Sequence, residues 1–114
     1  MHEYSIIEAM LRRVAEEARA RGAIAVRRVA MGVGELAGVE PELLRSAYEI
    51  ARPGTVCERA DLEIVTYPMR WSCPVCGKDF ARGDVLRCAG CAAPARLEPA
   101  SEALVVESIE MEVP

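Results

Sequence analysis

The chain is poor in aromatic residues, with one Trp, three Tyr and one Phe among 114 residues, and it holds a single histidine, His2. With one histidine, no Ser/His/Asp set can be assembled from the interior of the chain. No Gly-rich phosphate loop is present, and no pair of carboxylates stands apart from the general run of solvated glutamates. An enzyme is therefore not expected. No apolar run approaches the roughly 18 to 20 residues needed to span a bilayer. The first residues, Met1-His2-Glu3-Tyr4, lack the basic-then-apolar order of a secretory signal. No membrane partner and a cytoplasmic location are the expectations. Cationic excess is missing too: the net charge is -4 and the pI about 5.1. Nonspecific affinity for nucleic acid comes from clustered Lys and Arg neutralising phosphates, and stacking needs aromatics beside them, so no nucleic-acid partner is expected.

What is present reads as one small α+β core. Just over half the residues are apolar, in short blocks broken by Pro, Gly and charge. From Tyr4 to Arg21, Ile7, Met10, Leu11, Val14 and Ala18 recur at helical spacing, with Arg12, Arg13, Glu16, Glu17 and Arg19 around the other side. Ser5 and Glu8 have capping-box spacing, and Gly22 is placed to end the helix in a left-handed conformation; a start at His2 is the alternative. Residues 26–33 alternate, with Val29, Met31 and Val33 on one face, and predict a strand. A turn through Gly34 and Gly38 leads to Glu40-Pro41-Glu42, where proline suits the first helical position and carboxylates suit the positive end of the helix dipole. Leu44, Ala47, Tyr48 and Ala51 then face the core until Pro53-Gly54. A second strand is expected at 62–67 and a last one at about 104–113, with Ile109, Met111 and Val113 buried and Ser108, Glu110 and Glu112 wet. The predicted architecture is two helices packed on a three-stranded mixed sheet, with a four-cysteine, zinc-ribbon-like subdomain inserted before the last strand. Its division is 1–69 with 97–114 as the main domain and 70–96 as the insert.

The insert carries Cys73-Pro74-Val75-Cys76 and Cys88-Ala89-Gly90-Cys91, separated by the eleven residues 77–87. Four cysteines in two such knuckles, in a reducing compartment, read as metal ligands rather than disulfides. Four thiolates suit tetrahedral zinc, whose structural sites are closed by four protein ligands. A catalytic zinc needs an open position, and a dithiol redox pair needs only one knuckle, so a structural Zn(2+) is the expectation. Gly77 and Gly90 are the residues expected to give the knuckles their backbone freedom, and Arg70, Lys78, Arg82, Arg87 and Arg96 to offset the thiolate charge. Cys57, the odd cysteine, reads as a small core or loop residue.

A lone histidine is most often a surface or capping residue. At position two it acquires a second chemistry. The bulk of the His2 side chain argues for retention of the initiator methionine, which puts the free amine on Met1. That amine, the amide and ring nitrogens of His2 and the Glu3 amide can form fused five- and six-membered chelate rings. Four nitrogens in a plane suit Ni(2+) or Cu(2+), although short peptides also form such sites.

Met1-His2-Glu3-Tyr4-Ser5 resembles the opening of the HypA/HybF family of nickel metallochaperones, which insert nickel during maturation of hydrogenase and, in some cases, urease. The resemblance spans the chain: Gly34-Glu35-Leu36-Ala37-Gly38-Val39-Glu40-Pro41-Glu42 is similar to the family's loop into its second helix. Ala60-Asp61-Leu62-Glu63-Ile64 is similar to the approach to its second strand, and the paired knuckles and terminal acidic strand also correspond. The resemblance implies that His2 is the essential nickel ligand, that the Met1 amine and Glu3 backbone complete the plane, and that Glu40 is a candidate further ligand or hydrogen-bond acceptor there. It implies Ni(2+) as cargo, a HypB-type GTPase and the hydrogenase large subunit as partners, and Cys73, Cys76, Cys88 and Cys91 on zinc. The chain departs from the family in lacking a proline after Cys88, a glycine in Ser101-Glu102-Ala103, and a histidine near the cysteines. The alternative function is a zinc-ribbon protein-interaction module without nickel transfer.

Overall fold

The computed structural model describes residues 2–114; Met1 and the His2 side chain lie outside that description. The elements run α1 (His2–Ala20), β1 (Ala25–Gly34), α2 (Pro41–Ala51), β2 (Asp61–Tyr67), β3 (Trp71–Ser72), β4 (Asp79–Phe80), β5 (Arg96–Leu97), a single 3-10 turn (Pro99–Glu102) and β6 (Leu104–Glu112). Two helices and the mixed sheet β2-β1-β6 form the larger layer pair, with β1 parallel to β2 and antiparallel to β6. The two-residue strands β4-β3-β5 make a second, smaller sheet around the cysteines.

The apolar stripe of α1, Ile7, Met10, Leu11, Val14 and Ala18, is buried against Val29, Met31 and Val33 of β1 and Leu44, Ala47 and Tyr48 of α2. Helix periodicity puts those α1 residues on one face, and their burial is what holds it. Gly22, at φ +62°, closes α1, with the Ala23 N–H returning to the Ala18 carbonyl at 2.9 Å, the six-to-one bond of a Schellman end. Cys57 is buried in the same core, and burial pushes its thiol up.

The structure differs from the sequence reading at three places. α1 begins at His2, the alternative start, so Ser5 and Glu8 lie within the helix and do not start it. The Glu3 carboxylate accepts the Glu40 N–H at 3.3 Å, so the extra turn is tied to the start of α2. In β6 a register shift opposite Ala30 and Met31 places Glu107 as an extra residue. Val106 and Ile109, three apart, therefore both follow β1 residues of the core face, and strict alternation fails across the bulge. Val113, expected to be buried, is 53% exposed because β6 ends at Glu112.

Tyr48 is fully buried at the centre of this core, and its hydroxyl donates to the carbonyls of Ala60 at 2.6 Å and Cys57 at 3.2 Å. Burial is the main cause that pushes the phenol well above its ordinary range. The ring thus holds the loop that delivers the chain from α2 into β2. Tyr48→Phe keeps the ring and leaves two carbonyls without that donor, which should cost about 1–3 kcal/mol of stability in chemical denaturation. Unchanged stability would show that the hydroxyl does not hold the loop.

Candidate metal centre

The two cysteine knuckles share the same pair of backbone bonds. In the first, Gly77 N–H returns to the Cys73 carbonyl at 2.9 Å, and Cys73 N–H reaches the Lys78 carbonyl at 2.9 Å. In the second, Ala92 N–H returns to Cys88 at 2.8 Å and Cys88 N–H reaches Ala93 at 2.9 Å. The repeated turns converge the four side chains, whose Sγ atoms all lie within 4.8 Å of one another. Cys73 and Cys88 are buried, Cys91 half-buried and Cys76 exposed, and none is in a disulfide. The cluster can hold a metal ion such as zinc; it is the one such group among the described residues. Four soft donors within tetrahedral reach leave no open position for substrate chemistry.

The electrostatics of the cluster come from the backbone. N–H groups of Cys76, at 3.5 Å, and Val75, at 3.4 Å, point at the Cys73 sulfur and hold its thiol down to about 6, which favours the thiolate that a metal needs. The Cys91 thiol is pushed up to about 12, first by its contact with Cys76, as expected where several sulfurs compete for negative charge. Of the cations assigned by sequence to this charge, Arg70 pairs with Asp79 at 2.6 Å, Arg82 pairs with Glu35 at 2.9 Å, and Arg87 donates to the backbone of the second knuckle, at the Ala92 carbonyl, at 2.7 Å.

The backbone-freedom assignment is half corrected as well. Gly77 sits at φ +79°, but the matching residue of the second knuckle is Ala92, at φ +54°, four after Cys88 as Gly77 is four after Cys73. Gly90 does not have a positive φ. A methyl group in this conformation costs about 1–2 kcal/mol, which the turn and the Arg87 bond offset.

The insert rests on the larger layer through Glu35, in the turn after β1. Its carboxylate accepts the Met69 N–H at 2.8 Å and the Arg82 guanidinium, which together hold it below the ordinary carboxylate range, the Met69 bond contributing most. The same turn bonds the segment before β6: Leu36 N–H meets the Ser101 carbonyl at 2.8 Å, and Gly34 N–H meets Ala103 at 2.7 Å. Five residues on from Glu35, Glu40 is the N-cap of α2, with its side chain making no cap hydrogen bond and its N–H on Glu3. Glu3 and Glu40 are therefore brought together at the start of α1. The other sequence-assigned members of that site, the Met1 amine and the His2 ring, lie outside the described residues.

Two outcomes follow for the cysteine module. Strands of two residues cannot hold themselves, so chelating the metal should unfold it while the helical core persists. Trp71, which pairs with both Phe80 and Leu97, reports this as a fluorescence change without loss of far-ultraviolet helicity; a flat Trp71 signal would mean that the module folds unaided. Ala92→Gly should relieve the left-handed alanine and raise the chelator concentration needed for release, by a few-fold for about 1 kcal/mol.

The model of the family described as hydrogenase/urease nickel incorporation, metallochaperone, HypA matches residues 1–111. The hydrogenase maturation factor HypA of Wolinella succinogenes is 39% identical over 114 residues, covering 98% of this chain and 96% of that one. That of Aquifex aeolicus is 32% identical and covers 99% of each. Among solved structures, the solution structure of the Ni metallochaperone HypA from Helicobacter pylori aligns over 100% of both chains with a TM-score of 0.70 at 27% identity. A second HypA solution structure aligns at TM-score 0.76 and 29% identity, over 97% of this chain and 96% of that one. A match that runs through the helices, the mixed sheet and both knuckles leaves no segment to a different fold: the chain belongs to the HypA family of hydrogenase and urease nickel-incorporation metallochaperones.

Proposed function

We propose that this chain captures one Ni(2+) at its amino terminus and passes it to a hydrogenase, with urease as a further client, while a Zn(2+) on Cys73, Cys76, Cys88 and Cys91 shapes the docking module. The observation that carries this reading is the family match beginning at residue 1, which takes in Met1-His2-Glu3. The nickel ligands are the Met1 amine, the His2 ring and amide nitrogens and the Glu3 amide, with Glu40 as a further ligand or acceptor. Residues 1–69 with 97–114 then form the nickel-handling domain and 70–96 the zinc domain.

The start of α1 at His2 supports this chemistry. The first N–H groups of an α-helix have no intrahelical acceptor, so the His2 and Glu3 amides surrender no helical bond when they lose protons to nickel. The resulting negative charge falls at the positive end of the helix dipole, which favours it. Glu3 to Glu40 brings a carboxylate and the α2 N-cap to the same end. A planar site at a chain terminus can be approached from both sides, so a recipient's ligands can add before the donor's leave. Transfer is ligand exchange and needs no covalent step. In this reading the protein works in the cytoplasm, docked to a HypB-type GTPase and to the hydrogenase large subunit.

Untagged protein titrated with nickel tests the assignment. His2→Ala should weaken nickel binding at least about 100-fold while zinc stays at one equivalent per chain. Placing two residues ahead of Met1 should do the same, because the terminal amine is displaced. Retained nickel binding in both would overturn the site and favour a zinc-ribbon interaction module. Protons compete with nickel for the amine and imidazole, whose ordinary pKa values are about 8 and 6.5, so affinity should fall as pH drops from about 7 to 6. Equal affinity at both values would exclude amine and imidazole ligation.

A further inference from the structure

β6 lies at the edge of the larger sheet, with β1 on one side and, among the described residues, no strand on the other. The opposite edge is partly occupied, since Arg45 donates to the Leu62 carbonyl of β2 at 3.1 Å. Beside β6 a groove of about 610 Å³ runs between its core-face residues and α1, lined by Arg13, Glu17 and Arg21 on the helix side. It continues into a second space of about 480 Å³ that shares Arg13 and Val106. Val106, Ile109 and Met111 are only partly buried along it, and Leu104, Val105 and Val113 are exposed. A nine-residue edge strand beside a groove that is apolar on its strand side, through Val106, Ile109, Met111 and Val113, and charged on its helix side is an arrangement onto which an extended segment adds.

Charge selects the occupant. Residues 98–114 carry Glu98, Glu102, Glu107, Glu110 and Glu112 and no Lys or Arg. Glu107, Ser108, Glu110 and Glu112 line the face of β6 away from the helices. There Glu110 reaches Arg28 at 3.3 Å, Glu112 pairs with Arg27, and Glu107 accepts from Tyr67. Arg27 and Arg28 thus serve two of these three carboxylates, Arg28 being shared with Glu63 of β2, and Glu107 has a tyrosine hydroxyl in place of a cation. A second copy of β6 in antiparallel pairing, apolar face to apolar face, would bring both glutamate rows onto one surface, and like charges on facing strands repel.

We propose that the free edge of β6 accepts an extended segment of a partner protein in which apolar residues alternate with Lys or Arg. Its apolar side chains pack on Val106, Ile109 and Met111 along the groove, and its cations lie beside Glu107, Glu110 and Glu112 on the other face. Side chains alternate strictly along a strand, so a slip of one residue would put the cations beneath Arg13 and Arg21. The groove therefore fixes register as well as identity. The proposal is independent of the nickel assignment.

The test uses the full-length protein and three blocked heptapeptides: alternating Val and Lys, alternating Val and Glu, and the Val/Lys composition with its valines grouped. The alternating Val/Lys peptide should bind, slow amide hydrogen exchange across residues 104–112, and weaken as salt is raised. Glu107→Gln with Glu110→Gln, checked by circular dichroism for an intact fold, should weaken it roughly three- to tenfold, as expected for two cross-strand charge pairs. Equal binding of the Val/Glu or grouped peptide would overturn the proposal. So would binding without protection of 104–112, no binding at all, or sedimentation showing that a second copy already occupies the edge.

Discussion

The antiparallel pairing of β1 with β6 is the constraint on which the rest of the molecule depends. β1 is the central strand, buried on the helix face through Val29, Met31 and Val33, and it is complete only when the last segment of the chain returns to it. Between β2 and β6 the chain leaves the layer, makes both knuckles and comes back. Closing a long excursion costs entropy that grows with its length, and a metal ion held by the four cysteines would remove much of the freedom that is otherwise lost on folding. The cysteine module is thus part of how the larger sheet closes. Its attachments are consistent with that role: Arg70 N–H meets the Ser101 hydroxyl at 2.9 Å and Ser72 donates to Glu98 at 2.7 Å, both immediately ahead of β6.

The parts legible in the sequence are those in which one residue's burial fixes that of its neighbours. The stripe of α1, the core face of β1, and Leu44, Ala47 and Tyr48 of α2 follow directly from helical and strand periods. So do the four cysteines, because knuckle spacing is a local property. What escaped depends on contacts between distant segments or on backbone detail. The first turn of α1 is tied through Glu3 to Glu40, far along the chain. The bulge at Glu107 has no residue signature, since the glutamate there is as compatible with regular alternation as with a bulge. Ala92 takes the left-handed position because the bonding pattern of the knuckle requires it, and the nearby Gly90 is a misleading marker. Of the arginines near the cysteines in sequence, Arg70, Arg82 and Arg87 serve Asp79, Glu35 and the Ala92 carbonyl.

The two ends of the molecule apply opposite strategies to soft and borderline metals. At the cysteines, four donors from two rigid turns converge with N–H groups already aimed at a sulfur, an arrangement that retains an ion. At the amino terminus, the ligands proposed for nickel belong to the first turn of a helix, where backbone N–H groups have no intrahelical acceptor. Retention and release are thus assigned to different backbone contexts, and the acidic net charge is shared by both.

Glu35 joins these halves in a way that its exposed position conceals. In the language of networks it is a shared node: its carboxylate links the Arg82 loop and Met69 to the turn that leads into Glu40. Remove that carboxylate and the turn keeps its main-chain bonds at Gly34, Glu35 and Leu36 but loses its side-chain tie to the Arg82 loop. A single solvent-facing carboxylate therefore sets how many independent routes connect two regions of the protein, a property of topology that no measure of its burial or bond strength would reveal.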